Sequence, residues 1–405
     1  MAKHASGGGV TLNGLESMVV GRLKTSGNGY YFALLVTGLI MMAGSIAGLQ
    51  ATIGGHHVFY GVTREVSWGI LIAAYVFFVV TSTGLCLVSS IGHVFGVESF
   101  MPIAKRSVFL SIVTILAGFF VISAEIKVPI RMMLYNIISP NLTSNIWWMG
   151  TLYGVYLVFM IFEFIFLLLN RHKPALVCGF SGAVAGIAAH SNLGAVFGLL
   201  NGREFWHGPY MPIYFITSAM MTGTAVILFF HLVAAKVNNE RLDDKMLRAL
   251  DNTRKVGILL ICVISFFTIW KIVAAIAGQP GGKYEAVMAM LAGPYAVNFW
   301  VFEVGLALLL PLVLFLKAGV KRPGMLLVAS ALMIVGIFIM RYDLVIVGEI
   351  VPVFHELGVR EFSGLLSYRP SLHELVVTAG GFGMVGFLFL LGEKIFGGHK
   401  VSEEH

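Results

Sequence analysis

The stretch WGILIAAYVFFVVTSTGLCLVSSI, residues 68–91, decides the fold. No Lys, Arg, Asp, Glu or His interrupts it. At about 1.5 Å of rise per helical residue it is long enough to cross the roughly 30 Å hydrocarbon core of a bilayer. The rest of the chain has the same character. Of 405 residues, 58% are hydrophobic and only 12% are charged, and mean hydropathy is +0.89. A soluble domain carries about 25% charged residues. A water-soluble enzyme of ordinary surface is therefore excluded, and so is a disordered chain, which needs low hydrophobicity.

Working outward from this run, nine more are long enough to span. The ten approximate limits are 30–50, 68–91, 107–127, 146–169, 175–199, 211–234, 256–278, 295–316, 323–340 and 372–392. The first 29 residues are Gly-rich and polar and do not form a signal peptide, so the first span is expected to direct the chain to the membrane. The net charge of +7 is spread over short loops rather than gathered in one patch, which argues against nucleic acid. It reads instead as topology. Eighteen of the 27 Lys and Arg residues fall on the side of the N-terminus and nine on the other. The positive-inside rule then places both termini in the cytoplasm of a prokaryotic inner membrane protein.

An internal repeat organises the spans. His190-Ser191-Asn192-Leu193 with Gly198 in the fifth resembles Arg341-Tyr342-Asp343-Leu344 with Gly348 around the ninth. Thr83-Gly84 with His93 in the second matches Thr222-Gly223 with His231 in the sixth, and Glu163 in the fourth matches Glu303 in the eighth. Four spans separate each pair, so related spans run the same way. The expected fold is an all-α polytopic membrane protein of ten transmembrane helices. Two parallel-repeat four-helix bundles, spans 2–5 and 6–9, are flanked by spans 1 and 10. The corresponding segments are a tail over 1–29, the first span and outer loop over 30–67 and the first bundle over 68–199. The second bundle follows over 200–340, then an outer loop over 341–371 and the tenth span with its tail over 372–405. Within the second bundle, 236–255 mixes charge signs at helical spacing and is expected to be a solvated surface helix joining two halves.

Ionisable groups inside spans are costly, about 2.5–3.5 kcal/mol each at the bilayer centre, and so are functional candidates. Glu163 and Glu303 read either as proton-relay groups or as hydrogen-bonded packing groups. Cys86, Cys178 and Cys262 each lie in an apolar run, with no CxxC or Cys/His spacing, so no iron–sulfur cluster, c-type haem or zinc site is expected within the chain. A bis-histidine haem b would need two histidines at one depth. His93 and His231 share a depth, but His190 lacks a partner at its own. A quinone site needs an apolar slot with a few polar groups to hold two oxygens and move protons. The outer ends of spans 2–5 offer Arg64, Trp68, Glu125, Arg131, His190, Asn192, Arg203 and Trp206. Glu125 could pair with Arg131, and His190 can shuttle a proton near neutral pH. Two other readings stay open: a secondary transporter built on the two-fold repeat, and a haem b-bearing cytochrome.

Several segments carry a family resemblance: GVTREVSWG (61–69), GLCLVSSIGHVFG (84–96), HSNLG (190–194), GREFW (202–206) and RYDLVIVG (341–348). In order and position they resemble the NrfD/PsrC family, the integral membrane subunits of polysulfide reductase-like complexes. Ten spans look most similar to the branch with the DsrP/HmeB subunits of DsrMKJOP complexes. That resemblance implies a subunit without a redox metal, which binds menaquinone or ubiquinone near the outer face. It implies electron exchange with an extracytoplasmic ferredoxin-like iron–sulfur subunit, further membrane, cytochrome and cytoplasmic iron–sulfur subunits, and a place in dissimilatory sulfur metabolism. It also implies that Arg64, Glu125, Arg131, His190 and Arg203 serve the quinone, with Arg341, Asp343 and Glu349 in the equivalent region of the second bundle. Where protons are translocated, Glu303, Glu163 and His231 are the implied path.

Overall fold

The computed structural model of the chain describes residue 21 and residues 26–238, 240–319, 322–353 and 364–396. Most of the expected N-terminal tail, the end of the C-terminal tail and residues 354–363 of the expected outer loop lie outside the described residues. Among the described residues ten helices are long and apolar enough to cross a membrane. They are α1 (Asn28–Gly54), α2 (Ile70–His93), α3 (Met101–Glu125), α4 (Asn145–Leu168) and α5 (His172–Gly198). Then come α6 (Tyr210–Val237), α7 (Asp244–Gly278), α8 (Asn298–Lys317), α9 (Pro323–Ile350) and α10 (Leu372–Ile395). The chain is a multi-pass membrane protein. Below, the side on which α1 begins is proximal, and the side where it ends is distal.

Packing repeats as the sequence repeats. In the first bundle α2 packs on α3 and α4 on α5, and contacts of α2 with α5 and of α3 with α4 close the ring. In the second bundle α6–α7, α8–α9, α6–α9 and α7–α8 do the same. The bundles meet along the equivalent helices α2 and α6. Helices in lipid gain little from hydrophobic burial against each other and associate through close packing. Gly84 and Gly223 provide that packing. A Cβ on Gly84 would overlap the Ala219 carbonyl oxygen, and one on Gly223 would overlap the Gly84 carbonyl group. The two Thr-Gly pairs of the repeat thus face each other where the bundles join.

Helices α1 and α10 flank the bundles side by side: they pack on each other, and α10 docks on α3 and α2. Gly44 and Gly380 bring their backbones together, since a Cβ on Gly44 would lie 2.6 Å from Gly380 Cα. Helix α9 runs to Ile350, ten residues beyond the expected boundary, so Arg341, Asp343 and Glu349 lie within a helix rather than in a loop. Residues 244–255 are the opening turns of α7, not a separate surface helix. Asp243 starts them by accepting from the Met246 backbone N–H at 2.7 Å, an N-cap worth about 0.5–2 kcal/mol.

The bundle interiors carry polar groups within a mostly apolar core, and the outside is apolar. Thr81, Ser82, Thr83, Ser89 and Ser90 of α2 are buried, whereas Phe32, Leu35, Ile161, Phe162 and Trp270 are exposed on outward faces. Four of these hydroxyls return hydrogen bonds to their own helix, as Thr81 does to the Phe77 carbonyl at 2.7 Å, whereas Ser82 crosses to α3 and donates to the Ser111 carbonyl at 2.7 Å. Helix α8 is unusual: residues Asn298–Leu309 are π-helical before an α-helical end at Leu310–Lys317 that contains Pro311. Such segments are rare and concentrate at functional sites. Glu303 sits inside this one.

Candidate functional site

The loop between α5 and α6 folds over the distal ends of both bundles. Gly208 adopts φ +128°, a value open to glycine, and its N–H returns to the Gly198 carbonyl at 3.0 Å. This turn aims Arg203 at α9. Its Nη1 donates to the carbonyls of Glu349 (2.7 Å) and Val351 (3.1 Å), and Nη2 donates to the Glu65 carbonyl at 3.0 Å. Arg203 therefore caps the last turn of α9, whose carbonyls have no partner within the helix. Burial pulls its guanidinium below the ordinary arginine value, and Glu349, 4.0 Å from Nη2, pushes it back up. Glu349 also accepts from the Trp68 backbone N–H (3.1 Å) and the Ser67 hydroxyl (3.4 Å). The family resemblance implies a place for Glu349 in the equivalent region of the second bundle. The structure joins it to Trp68, Arg203 and Trp206 in one corner.

From this corner an aromatic file runs inward. Trp206 donates from Nε1 to the Leu344 carbonyl at 2.6 Å, and its ring lies where a side chain at Gly348 would stand. It stacks on Trp68 at 5.3 Å and meets Phe197 edge-on at 5.1 Å. Phe197 stacks on Phe215 at 5.5 Å, and the His190 ring follows at 5.9 Å. His190 is fully buried. Its Nδ1 is hydrogen-bonded to the Tyr153 hydroxyl at 3.0 Å, and its Nε2 makes no hydrogen bond of ordinary geometry among the described residues. Arg341, also fully buried, packs on the same Phe215. Its guanidinium carbon lies 5.4 Å from the Phe215 ring centre and 5.6 Å from that of Tyr214. Nη2 donates to the Ser218 hydroxyl at 2.6 Å, while Nε and Nη1 make no hydrogen bond of ordinary geometry among the described residues and have the Tyr214 hydroxyl as a polar neighbour. The two repeat-equivalent residues thus share Phe215.

Other expected residues lie elsewhere. Arg64 is exposed on the distal side. Arg131 is exposed too and sits over the Tyr135 ring at 5.1 Å, so the expected Glu125–Arg131 pair does not form. Pro129 opens a separate short helix, Pro129–Ile138, that turns Arg131 away. Glu125 instead ends α3 beside Ala124, whose carbonyl accepts from the Tyr60 hydroxyl at 2.9 Å, and its Oε2 is buried without a hydrogen-bond partner among the described residues. Asn192 ties α5 to the start of α4, donating to the Asn145 carbonyl at 2.7 Å, and so does not join His190. Asp343 accepts from Asn298 at 2.8 Å through Oδ1, and its Oδ2 is unpartnered among the described residues.

The expected proton path is divided. Glu163, fully buried, contacts Nε2 of His93 at the proximal end of the first bundle. His93 Nδ1 is hydrogen-bonded to the Ser89 carbonyl at 3.0 Å. The nitrogen that a haem iron would take is therefore engaged by a carboxylate. Glu303 is buried within α8 of the second bundle. His231 Nδ1 is hydrogen-bonded to the Ile227 carbonyl at 2.8 Å, and Arg106 is its charged neighbour. Arg106 itself is buried in a two-point pair with Glu393, at 2.7 and 2.9 Å.

Sequence reading passed over Tyr153, Phe197, Phe215 and Glu374. The last had a legible signal, the Ser-x-x-Glu capping box of Ser371 to Glu374. Glu374 also accepts from the Gly61 N–H at 2.8 Å and the Tyr368 hydroxyl at 2.6 Å, which pins the loop before α2 to α10. A cavity of about 520 Å³ opens elsewhere, between α1, α3 and the short helix, lined by Gly44, Gly48, Phe120, Ala124, Lys127 and Ile130 among others.

Comparison with known proteins fits this architecture. The chain is similar to a selenate reductase subunit of Mesobacillus selenatarsenatis, 26% identical over 81% of this chain and 85% of the relative. It is also similar to the Hdr-like menaquinol oxidoreductase integral membrane subunit of Archaeoglobus fulgidus, 26% identical over 90% and 93%. A putative dimethyl sulfoxide reductase membrane subunit of Halobacterium salinarum is 25% identical over 82% and 83%. The model of the polysulphide reductase NrfD family matches residues 60–353, most of the ten-helix body just described, and the chain belongs to that family.

Proposed function

We propose that this chain is the quinone-binding membrane subunit of a multisubunit oxidoreductase, exchanging electrons between a menaquinone or ubiquinone pool and a partner subunit on its distal side. The observation that carries the reading is the aromatic file from Trp68 and Trp206 to His190 and Arg341, with buried nitrogen atoms at its inner end that make no hydrogen bond of ordinary geometry among the described residues. Buried donors without partners are rare and call for a ligand or water. His190 Nε2 and Arg341 Nε and Nη1 fit the oxygen of a quinone-type ring, and the Phe215 and Phe197 rings fit its flat face.

A quinol, when bound, supplies two electrons and two protons. The chain's part is to hold the ring and receive a proton. Tyr153 fixes His190 through Nδ1 and leaves Nε2 as the atom that accepts or returns a proton. Arg341, held by Ser218, presents donors without itself losing a proton. Arg203, Glu349 and Trp206 are positioning residues that fix the lid over this site. Arg64 and Arg131 sit at headgroup level in this reading, outside the ring site. The relatives' names as reductase and menaquinol oxidoreductase membrane subunits support a place in a complex.

The charge asymmetry supports a distal side that faces out of the cytoplasmic membrane, and in this reading an extracytoplasmic ferredoxin-like iron–sulfur subunit docks there. In this reading, supported by the resemblance to DsrP/HmeB-type subunits, the complex serves dissimilatory sulfur metabolism and couples its electron transfer to proton translocation.

The test uses the complex purified with its native partners. His190→Ala is expected to lower quinol-dependent reduction of the iron–sulfur partner by about 100-fold or more. Wild-type turnover in an assembled His190→Ala complex would overturn the site.

A further inference from the structure

We propose that the cavity between α1, α3 and the short helix Pro129–Ile138 is a phospholipid site, which takes one acyl chain of an anionic lipid from the distal leaflet and holds the lipid phosphate at Lys127. This site is separate from the quinone site at Phe215.

The space lies beside the closest contacts of α1. Gly44 meets Gly380 backbone to backbone, which holds α1 against α10. Toward α3, a Cβ on Gly48 would lie 3.1 Å from Ala124 Cβ. Next to that contact the small residues Ser45 and Ser123 leave a space of about 520 Å³. Ligand pockets run from about 300 to 1,000 Å³. Along α1 the lining extends from Gly44 to Thr52, roughly 12 Å at about 1.5 Å per residue. One leaflet of the hydrocarbon core is about 15 Å deep. The space therefore covers most of the depth from the distal headgroups to the midplane. Its rim residues Leu49, Val128 and Ile130 are exposed, so it opens sideways to lipid.

The walls suit a hydrocarbon chain. Three hydroxyls line them, and each already donates to its own helix: Ser45 to the Met41 carbonyl at 2.9 Å, Thr52 to Gly48 at 2.9 Å and Ser123 to Phe120 at 2.7 Å. None has a hydrogen left for the carbonyl oxygens of a quinone ring, and a water needs two or more polar partners. The mouth suits a phosphate. Among the described residues no carboxylate lines the cavity, and exposed Lys127 is in none of the ion pairs. A lysine lays its stem along apolar surface while its ammonium reaches the headgroup layer. Arg131, four residues on, is a second exposed cation. Basic pockets between spans bind lipid head groups.

The short helix marks the depth of that layer. Ile130, Met133, Leu134, Ile137 and Ile138 are exposed and recur at helical spacing, so they form one apolar stripe. The helix is tied to α4, where Trp147 Nε1 donates to the Asn136 carbonyl at 2.8 Å and Asn136 Nδ2 donates to the Thr151 hydroxyl at 3.0 Å. An amphipathic helix of this kind lies in the membrane interface with its apolar face at the acyl boundary. Its first turn, Pro129 and Ile130, lines the cavity and so sets the mouth at headgroup level.

The experiment strips the intact complex of lipid in detergent and adds phosphatidylglycerol, phosphatidylcholine, glycerol phosphate or a short-chain quinone, with bound molecules counted by native mass spectrometry. The wild type is expected to hold one phosphatidylglycerol in preference to phosphatidylcholine. Lys127→Glu reverses the charge at the mouth and is expected to weaken that lipid by about tenfold or more. Ser45→Phe fills the space without touching Lys127 and is expected to weaken it by about as much. Either variant decides if the other fails to assemble. Phosphatidylglycerol held equally by the wild type and by assembled Lys127→Glu and Ser45→Phe complexes overturns the site. Equal binding of phosphatidylcholine also overturns it, because the charge then has no role. So does displacement by glycerol phosphate, which leaves the acyl chain none, or by the short-chain quinone, which makes the cavity a quinone pocket. Quinol oxidation enters none of these readouts, so the two sites stand or fail separately.

Discussion

Two residues measure how tightly the distal corner is built. Gly348 has no space for a methyl group, because a Cβ there would overlap the Trp206 indole at Cε2. Overpacking of this kind costs about 1–3 kcal/mol. Gly348→Ala is expected to lower the melting temperature and shift Trp206 fluorescence to the red as the indole leaves its site against Leu344. An unshifted emission would mean that the ring accommodates the methyl. At the proximal side, the Arg106–Glu393 pair is buried and joined by Asn238, which donates to Glu393 at 3.0 Å. Breaking one partner of a buried pair costs about 3–5 kcal/mol, whereas replacing both is often neutral. Glu393→Gln is therefore expected to destabilise the detergent-solubilised protein more than the double change Arg106→Met with Glu393→Leu. Equal melting temperatures for the single and double variants would show the pair to be weak. Neither effect is legible from sequence, where Arg106 reads as a loop cation.

At the scale of elements, the sequence carried most of the fold because lipid is a strict solvent. A span needs about 20 apolar residues and every backbone group satisfied, so the ten runs stand out. What it missed has a common cause. Arg341, Asp343 and Glu349 read as loop residues because charge in a span is costly, yet α9 buries all three inside the protein rather than in lipid. The start of α7 was misread for the converse reason: its charged opening turns belong to the same unbroken helix as the apolar run. Likewise, Tyr153 and Tyr156 resemble belt aromatics in sequence, and only the inward stripe of α4 separates them from Trp148, which is exposed. The repeat was legible, and it makes a sharp prediction at the α2–α6 contact. Gly84→Val places a branched side chain against the Ala219 and Gly223 backbone. The variant is expected to assemble poorly and to lose thermal stability by several degrees, read by unfolding in detergent. Wild-type stability would mean that the bundles do not meet there.

At the scale of the molecule, two bundles of like packing have different interiors. The first holds buried Tyr153, Tyr156 and Ser82 between His190 and Glu163. The second holds Arg341, Asp343 and Glu303 around a π-helical stretch of α8. The proposed quinone site lies where they meet, at Phe215, so each interior reaches the ring from its own side. The site should therefore be sought between α5, α6 and α9. The most direct test is a photoreactive quinone analogue cross-linked to the intact complex, followed by peptide mapping. The account predicts label on peptides containing His190, Phe215 or Arg341, suppressed by excess unlabelled quinone. Label confined to the cavity lined by Gly44, Phe120 and Lys127, with none near His190, would contradict it.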